Sequence, residues 1–243
     1  MSELSGKTAI VVGASRGLGH GVSTALADAG ASVVAVSRTA AAFGIGTIQA
    51  EVADAGDPTV AANLLDGYEP EVVVLVAGAT PYMRPLQHQT WETFSVNWQT
   101  DVRITFHWLR EALLKPLRPG SRVVVFSSGA ALNGSPLSGG YAGAKATQRF
   151  AAGHARDEAE RAGLEITFTA VLPYFAPETG IGRPAVRAYA ARAGKSVEEY
   201  LEQQGPLVTP RIAGAAVVEL VRAEAASVAP AYRLSGTGLQ ELP

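Results

Sequence analysis

A tyrosine and a lysine stand four residues apart in the segment Tyr141-Ala-Gly-Ala-Lys145, and Ser128 lies thirteen residues before the tyrosine. Residues four apart share a face of a helix, so the Lys145 ammonium can lie beside the Tyr141 phenol. A nearby cation favours the phenolate and so assists acid–base catalysis, while Ser128 can donate to a substrate oxygen. The three residues predict proton exchange at a substrate oxygen. A surface helix with a packed tyrosine and a solvated lysine would show the same spacing.

A glycine-rich segment, Gly13-Ala-Ser-Arg-Gly17-Leu-Gly19, follows an apolar run and precedes a helical pattern. Glycines permit a tight turn and close backbone approach to a pyrophosphate, whose charge the amides at a helix N-terminus favour. The candidate contacts are Gly13, Ser15, Arg16, Gly17, Leu18 and Gly19. A glycine-rich turn that holds no ligand is the alternative interpretation.

Two arginines indicate which dinucleotide such a loop would hold. Arg38 lies nineteen residues beyond Gly19, close to the position where an acidic residue would contact the ribose hydroxyls of NAD. A guanidinium there suits a 2′-phosphate instead, and Arg16 can approach the same group. The pair therefore predicts NADP(H), unless both arginines are simply solvated.

Alternating buried strands and helices must position these residues. Apolar runs predict strands at 7–12, 32–36, 71–77, 121–127 and 165–172, with weaker candidates at 47–50 and 231–234. Helices are predicted at 17–29, 91–115, 141–162 and 186–203, and from the starts Asp57-Pro58 and Thr209-Pro210. Any helix between 39 and 46 is vestigial, because eight residues are too few for an ordinary crossover. This alternation predicts an α/β protein with a parallel sheet of about seven strands.

Composition narrows the class of protein. The 243 residues are 47% hydrophobic and 17% charged, which is typical of a folded protein. We expect one domain, residues 1–243, in which segment 173–208 forms a lid over the substrate. A net charge of −2 without a basic cluster argues against nucleic acid. The chain has no cysteine and its four histidines lack ligand spacing, so no metal site is expected. Without a signal peptide or membrane-length apolar run, we expect a cytoplasmic protein with no membrane partner.

These residues resemble the short-chain dehydrogenases/reductases, and the resemblance covers nearly the whole chain. Gly13, Gly17 and Gly19 match the cofactor glycines of that family, and Ala77-Gly78 matches the end of its Asn-Asn-Ala-Gly motif. Ser128, Tyr141 and Lys145 match its catalytic trio, and Asn97 resembles its fourth catalytic residue. The resemblance implies a doubly wound Rossmann fold.

The resemblance also implies roles for these residues. Tyr141 would exchange a proton with the carbonyl or alcohol oxygen, Ser128 would polarise that oxygen, and Lys145 would hold the nicotinamide ribose. The backbone of Asn97 would support a water that connects to Lys145. A homodimer or homotetramer formed through helices 91–115 and 141–162 is also implied.

Several positions depart from the family pattern. Val12 replaces a threonine, and Leu75 and Val76 replace the two asparagines, which we interpret as a coupled loss of polar contacts. Glu51, followed by Val52, replaces the aspartate expected at the adenine. Tyr174 replaces the glycine after Pro173, and Thr179, expected at the nicotinamide carboxamide, comes one residue late.

The loops after the strands predict a mostly apolar and aromatic pocket, with Tyr82, Ala130 and Tyr174 as candidate substrate contacts. The sequence therefore predicts an NADP(H)-dependent oxidoreductase that interconverts a ketone or aldehyde and an alcohol. One alternative is a non-redox enzyme on the same scaffold, such as a dehydratase, isomerase or cyclase, because of Pro173-Tyr174. A less favoured alternative is a nucleotide-sensing binding protein, which would need no intact trio.

Overall fold

The computed structural model describes residues 3–243 as an eight-stranded sheet with helices on both faces. The strands are β1 (Thr8–Val12), β2 (Ser32–Ser37), β3 (Ile48–Val52), β4 (Val72–Leu75), β5 (Arg122–Phe126), β6 (Thr167–Pro173), β7 (Ala231–Ser235) and β8 (Gly238–Leu242). Their order in the sheet is β3-β2-β1-β4-β5-β6-β7-β8, and only the final β7–β8 pair is antiparallel. The predicted doubly wound parallel sheet is confirmed, with one antiparallel edge strand in addition.

The predicted helices occur in the predicted order, but the short helix α5 was not predicted and one predicted helix is divided in two. They are α1 (Gly17–Asp28), α2 (Pro58–Tyr68), α3 (Trp91–Asn97), α4 (Arg103–Leu114), α5 (Ala130–Asn133), α6 (Gly139–Arg161), α7 (Gly182–Arg192), α8 (Val197–Glu202) and α9 (Pro210–Arg222). The single helix predicted over 186–203 was wrong, because it is two helices. Gly194, at φ +66°, follows the end of α7, and the Ser196 hydroxyl caps the start of α8 by accepting from the Glu199 amide.

A π-helical turn, Trp98–Val102, joins α3 to α4, so the helix predicted over 91–115 continues with altered pitch in its middle. Asp57 and Thr209 cap α2 and α9 as predicted, each accepting from a backbone amide of the first turn. Residues 39–46 contain no helix, as expected for so short a crossover.

The parallel sheet divides the core into two apolar layers, because successive side chains of a strand point to opposite faces. Ala9 and Val11 pack on the face covered by α1 and α9, whereas Ile10 and Val12 pack on the other, with Trp108 of α4. Both layers are fully buried around β1 and β4. This buried centre positions the carboxyl ends of the strands, where a doubly wound sheet places its ligands. No helix in residues 3–243 is long and apolar enough to cross a membrane.

Candidate active site

A cleft of about 460 Å³ lies at the carboxyl ends of β1, β4, β5 and β6. The structure brings most of the predicted site residues into its wall: Gly13, Ser15, Arg16, Gly17, Leu18, Gly19, Arg38, Ala77, Gly78, Ser128, Ala130, Tyr141, Lys145, Pro173, Tyr174 and Thr179. The predicted residues that do not line it are Glu51, Val52, Tyr82 and Asn97. A single cleft therefore joins the glycine segment to the serine, tyrosine and lysine.

The glycine segment forms a tight turn from β1 into α1. A side chain at Gly13 would place its Cβ 2.5 Å from the amide nitrogen of Ala77, and one at Gly19 would place its Cβ 2.2 Å from the Gly13 carbonyl oxygen. Gly17 has φ +57° and is the first residue of α1. The turn is close-packed, and it leaves the amides at the start of α1 beside the cleft.

Positive charge gathers beside this turn. Arg16, His20 and Arg38 line a shallow depression together with Ser15 and Thr39. In residues 3–243 neither arginine lies within 4.0 Å of a carboxylate oxygen. Two exposed guanidinium groups without a protein anion to neutralise them are suited to an anionic ligand.

The residues expected at the adenine are arranged differently. Glu51 accepts a hydrogen bond from the Tyr68 hydroxyl at 3.1 Å. Burial, and then this contact with Glu51, raises the pKa of Tyr68. Val52 is 58% exposed and lies outside the cleft wall. Asp54, which was not predicted, lines the cleft instead, together with Ala53 and Ala55. The signal was the Glu-Val-Ala-Asp segment itself, which holds two carboxylates near the end of β3.

Tyr141 and Lys145 share one face of α6, as their spacing predicted. The Lys145 ammonium lies 5.4 Å from the centre of the Tyr141 ring. The ammonium is also 3.0 Å from Asp101 Oδ2 and donates to Gln148 Oε1 at 2.7 Å. Burial lowers the pKa of Lys145, but the charge of Asp101, followed by Tyr141, outweighs that effect and leaves the pKa above 10.5.

Asp101 and Gln148 were not predicted from the sequence. Asp101 lies four residues after Asn97 and Gln148 three residues after Lys145, spacings that place each on the same helical face as a predicted site residue. This helical spacing was the available signal that the two residues lie near the site. A buried carboxylate such as Asp101 is rare unless it is paired.

The two serines after β5 have different contacts. Ser127 is buried and donates to the Lys145 carbonyl at 2.7 Å, which fixes α6 to the end of β5. Ser128 lines the cleft, and its hydroxyl accepts from the Ala130 amide at 3.2 Å. The Ser128 hydroxyl hydrogen is thus free to point into the cleft, as a donor to a substrate oxygen requires.

Asn97 is fully buried behind the cleft. Its side-chain amide donates to the Ala79 carbonyl at 2.7 Å and lies 3.3 Å from both Asp101 carboxylate oxygens. Its own Oδ1 has no hydrogen-bond partner among residues 3–243. The Asn97 side chain therefore holds the loop after β4 and does not face the cleft.

The apolar replacements at Val12, Leu75 and Val76 pack against one another or against the glycine turn. Val12 and Leu75 are register partners on β1 and β4, and both are buried. A Cβ on Gly19 would lie 2.7 Å from Val76 Cγ1. Apolar groups thus replace polar ones on both sides of the β1–β4 contact, so no buried polar group is stranded there.

Aromatic side chains form the far wall of the cleft. Tyr174, Phe175, Tyr189 and Tyr200 all line it, and the rings of Phe175, Tyr189 and Tyr200 lie with their centres 6.0–6.5 Å apart. Burial, then the neighbouring Tyr189 and Tyr174, raises the pKa of Tyr200. This end of the cleft is therefore lined mainly by aromatic rings.

Two other predicted contact residues, Thr179 and Tyr82, have side chains that interact mainly with neighbouring parts of the chain. The Thr179 hydroxyl donates to the Ala176 carbonyl at 2.9 Å and accepts from the Gly182 amide at 2.8 Å, so it stabilises the start of α7. Tyr82 is 48% exposed and lies under the Arg84 guanidinium, while its neighbours Pro81 and Met83 line the cleft.

The described residues fit a dinucleotide better than a metal. The glycine turn, the helix N-terminus and the two arginines run along one side of the cleft, and the Tyr141 and Lys145 pair lies farther along it. No group of three or more histidine, aspartate or glutamate side chains in residues 3–243 could hold a metal ion. When bound, a nicotinamide would supply the hydride for redox chemistry at a carbon beside Tyr141.

The sheet order and the position of the cleft are those of a doubly wound α/β protein of the Rossmann type. The sequence model of the short chain dehydrogenase family matches residues 7–190 of this chain. The chain belongs to the short-chain dehydrogenase/reductase family, whose members are oxidoreductases that use NAD(P)(H).

Curated relatives include reductases. The chain is 32% identical over 187 residues to a hydroxynaphthalene reductase-like protein Arp2 of Metarhizium majus, which covers 70% of this chain and 68% of that protein. It is 31% identical over 225 residues to versicolorin reductase 1 of Aspergillus parasiticus, covering 85% and 83% of the two chains.

A solved structure confirms the fold over almost the full chain. The 3-ketoacyl-(acyl-carrier-protein) reductase of Brucella melitensis, complexed with NADH, has a TM-score of 0.78 at 21% identity and covers 96% of this chain and 98% of that one.

Proposed function

We propose that the protein is an NADP(H)-dependent reductase that converts a ketone or aldehyde to an alcohol, or catalyses the reverse reaction. The observation that carries this proposal is the position of the Tyr141 and Lys145 pair in the same cleft as Arg16 and Arg38. The pair supplies acid–base chemistry at an oxygen, and the arginines supply a site for a 2′-phosphate.

The residues act in the following way. Ser128 donates a hydrogen bond to the carbonyl oxygen and orients it toward Tyr141. A nicotinamide cofactor held along the glycine turn and the two arginines would supply a hydride to the carbonyl carbon. Tyr141 Oη would give its proton to the carbonyl oxygen, so that the ketone or aldehyde becomes an alcohol. The charge on Lys145 stabilises the phenolate until Tyr141 regains a proton.

The aromatic wall supports a substrate of a particular kind. Phe175, Tyr189 and Tyr200 present ring faces and edges to the cleft, and such surfaces favour a planar aromatic ligand. The names of the curated relatives, a hydroxynaphthalene reductase-like protein and a versicolorin reductase, agree with this class. We therefore propose an aromatic or partly reduced polycyclic ketone as the substrate, with segment 173–208 as the lid that covers it.

The assembly is proposed from exposed aromatic groups. Trp91 of α3, Phe106 of α4 and Phe150 of α6 are 70%, 58% and 64% exposed. Large apolar side chains at such exposure on neighbouring helices suit a contact between subunits. We propose a homodimer or homotetramer of cytoplasmic subunits that meet through α4 and α6.

The test is NADPH oxidation with a panel of aromatic and aliphatic ketones, aldehydes and quinones, with NADH and Tyr141→Phe in parallel. We expect turnover that prefers NADPH, prefers the aromatic ketones and disappears in the variant. Product formed without net cofactor oxidation would refute the reductase and favour a dehydratase, isomerase or cyclase. NADPH binding with unchanged behaviour of Tyr141→Phe would favour a nucleotide-sensing protein.

A further inference from the structure

A buried carboxylate lies behind the candidate catalytic residues. Asp101 is 0% exposed in the π-helical turn between α3 and α4. Its Oδ2 lies 3.0 Å from Lys145 Nζ, and its Oδ1 accepts from the Ala79 amide at 2.8 Å. A buried ion pair stabilises a fold only when its remaining lone pairs are also satisfied, and Asp101 meets that condition.

A second residue completes the surroundings of the ammonium. Gln148 is 2% exposed, and its amide donates to the Thr105 hydroxyl at 2.6 Å and to the Asp101 carbonyl at 3.2 Å. These two bonds turn Gln148 Oε1 toward Lys145, from which it accepts at 2.7 Å. The third nearby acceptor of the ammonium is the Phe126 carbonyl at 3.5 Å, a weak contact. One ammonium hydrogen is therefore loosely held and can turn toward a ligand in the cleft.

The packing of the helices brings these groups together. A Cβ on Gly140 would lie 1.8 Å from the Phe94 carbonyl oxygen. Glycine at the start of α6 thus allows α3 to approach closely. Gly78 is needed as well, because its Cβ would lie 2.9 Å from Asp101 Oδ2.

We propose that Asp101 is a positioning residue that, with Gln148, holds the Lys145 ammonium beside the Tyr141 ring and keeps it charged there. The charged and titratable groups that face this ammonium are Asp101 from the π-helical turn and Tyr141 from α6. Lys145 is 4% exposed, so solvent contributes little to its charged form. Asp101 acts on the reaction through Lys145, and this role rests on the acid–base function proposed for Tyr141.

The principal test is Asp101→Asn, which keeps an oxygen to accept from Ala79 and removes the charge. We expect kcat for alcohol oxidation to fall roughly tenfold or more with KM changed less than about threefold. The rising limb of the kcat profile should move to higher pH, because loss of the Asp101 charge disfavours the charged form of Lys145. Asp66→Asn, which removes the exposed ion pair with Lys115, is the matched control and should leave the profile unchanged.

A second measurement needs no turnover. In the wild type the raised pKa of Lys145 means that its contribution to stability is present below pH 10.5 and is lost as the pH rises through the folded value. In Asp101→Asn burial, the largest cause, lowers the pKa of Lys145 and only Tyr141 opposes it, so the stability of the variant should rise as the pH approaches 10.5. The difference in Tm between the two proteins should therefore narrow from pH 7 to 10.5. A pH-independent difference would mean that Asp101 only holds Ala79.

Gln148→Met provides a variant that leaves no buried charge unpaired. We expect a lower kcat with an unmoved pH limb, since Asp101 remains. If the wild type is active and Asp101→Asn has the same kcat and the same rising pH limb as the wild type, the positioning role alone is overturned. If Asp101→Asn does not fold, a kcat of Gln148→Met equal to that of the wild type overturns it. A wild type that reduces no carbonyl compound would refute the proposed function instead, and the Tm series would still decide whether Asp101 keeps Lys145 charged.

Discussion

Arg38→Ala is the substitution that most directly tests the preference for NADPH over NADH. Arg38 is exposed at the end of β2, in the depression that it shares with Arg16. Arg16 is a less direct choice, because it lies close to Gly180 in the segment before α7. Arg38→Ala therefore removes charge from the depression with little other change.

The size of the effect follows from the contact that is lost. A hydrogen bond between charged groups contributes about 1.5–3 kcal/mol, and solvent exposure places Arg38 at the lower end, about 1.5 kcal/mol. This corresponds to roughly a tenfold loss in kcat/KM for NADPH, since 1.36 kcal/mol is a factor of ten. NADH lacks the 2′-phosphate, so its kcat/KM should change less than about twofold.

The assay is the initial rate with each cofactor against the best substrate of the panel, at low and high ionic strength. Salt should reduce the advantage of the wild type with NADPH, because both arginines are exposed to screening. Arg222→Ala, which removes an exposed guanidinium paired with Glu3, is the matched control and should leave both cofactors unaffected. Equal losses with NADPH and NADH, or no loss with NADPH, would refute the assignment of the 2′-phosphate site.

Three further results are expected. Tyr141→Phe should lower kcat by about 10²–10⁴ without a change in Tm, measured by NADPH oxidation and thermal unfolding; normal turnover would exclude Tyr141 as the proton donor. Phe106→Asp with Phe150→Asp should reduce the molar mass seen by light scattering to that of one subunit, and an unchanged mass would place the interface elsewhere. Asp57 accepts from the Thr59 amide, which lowers the pKa of its carboxyl, so this cap stabilises the protein above about pH 3.8 and is lost below it. The advantage of the wild type over Asp57→Asn in thermal unfolding should therefore shrink as the pH falls through 3.8, and a constant difference would contradict the charge effect.

The sheet could be predicted because buried parallel strands are near-continuous apolar runs bounded by polar turns. The edge strand β8 could not be predicted, since Gly-Leu-Gln-Glu-Leu is short, partly exposed and without clear alternation. The division of the helix over 186–203 was visible in Gly194 and Ser196, but the apolar spacing on both sides of them continued at helical period.

Residues of the cleft wall could be predicted from the sequence, and the buried residues behind that wall could not. Tyr141, Lys145 and the glycine segment lie where their spacing placed them, because helical period and turn chemistry are local properties. Asp101 and Gln148 were missed, because their importance depends on the approach of α6 to the π-helical turn. That approach is a tertiary contact which no local pattern reports.

The apolar contact between β1 and β4 and the buried Asp101 are two parts of one arrangement. With Val12 and Leu75 as register partners, the end of β4 offers no polar side chain at these positions to hold the loop that carries Ala77, Gly78 and Ala79. Asn97 holds that loop by the Ala79 carbonyl and Asp101 holds it by the Ala79 amide. The same carboxylate is paired with Lys145. Residues of α3 and the π-helical turn thus hold this loop, and Asp101 joins it to the charge beside Tyr141.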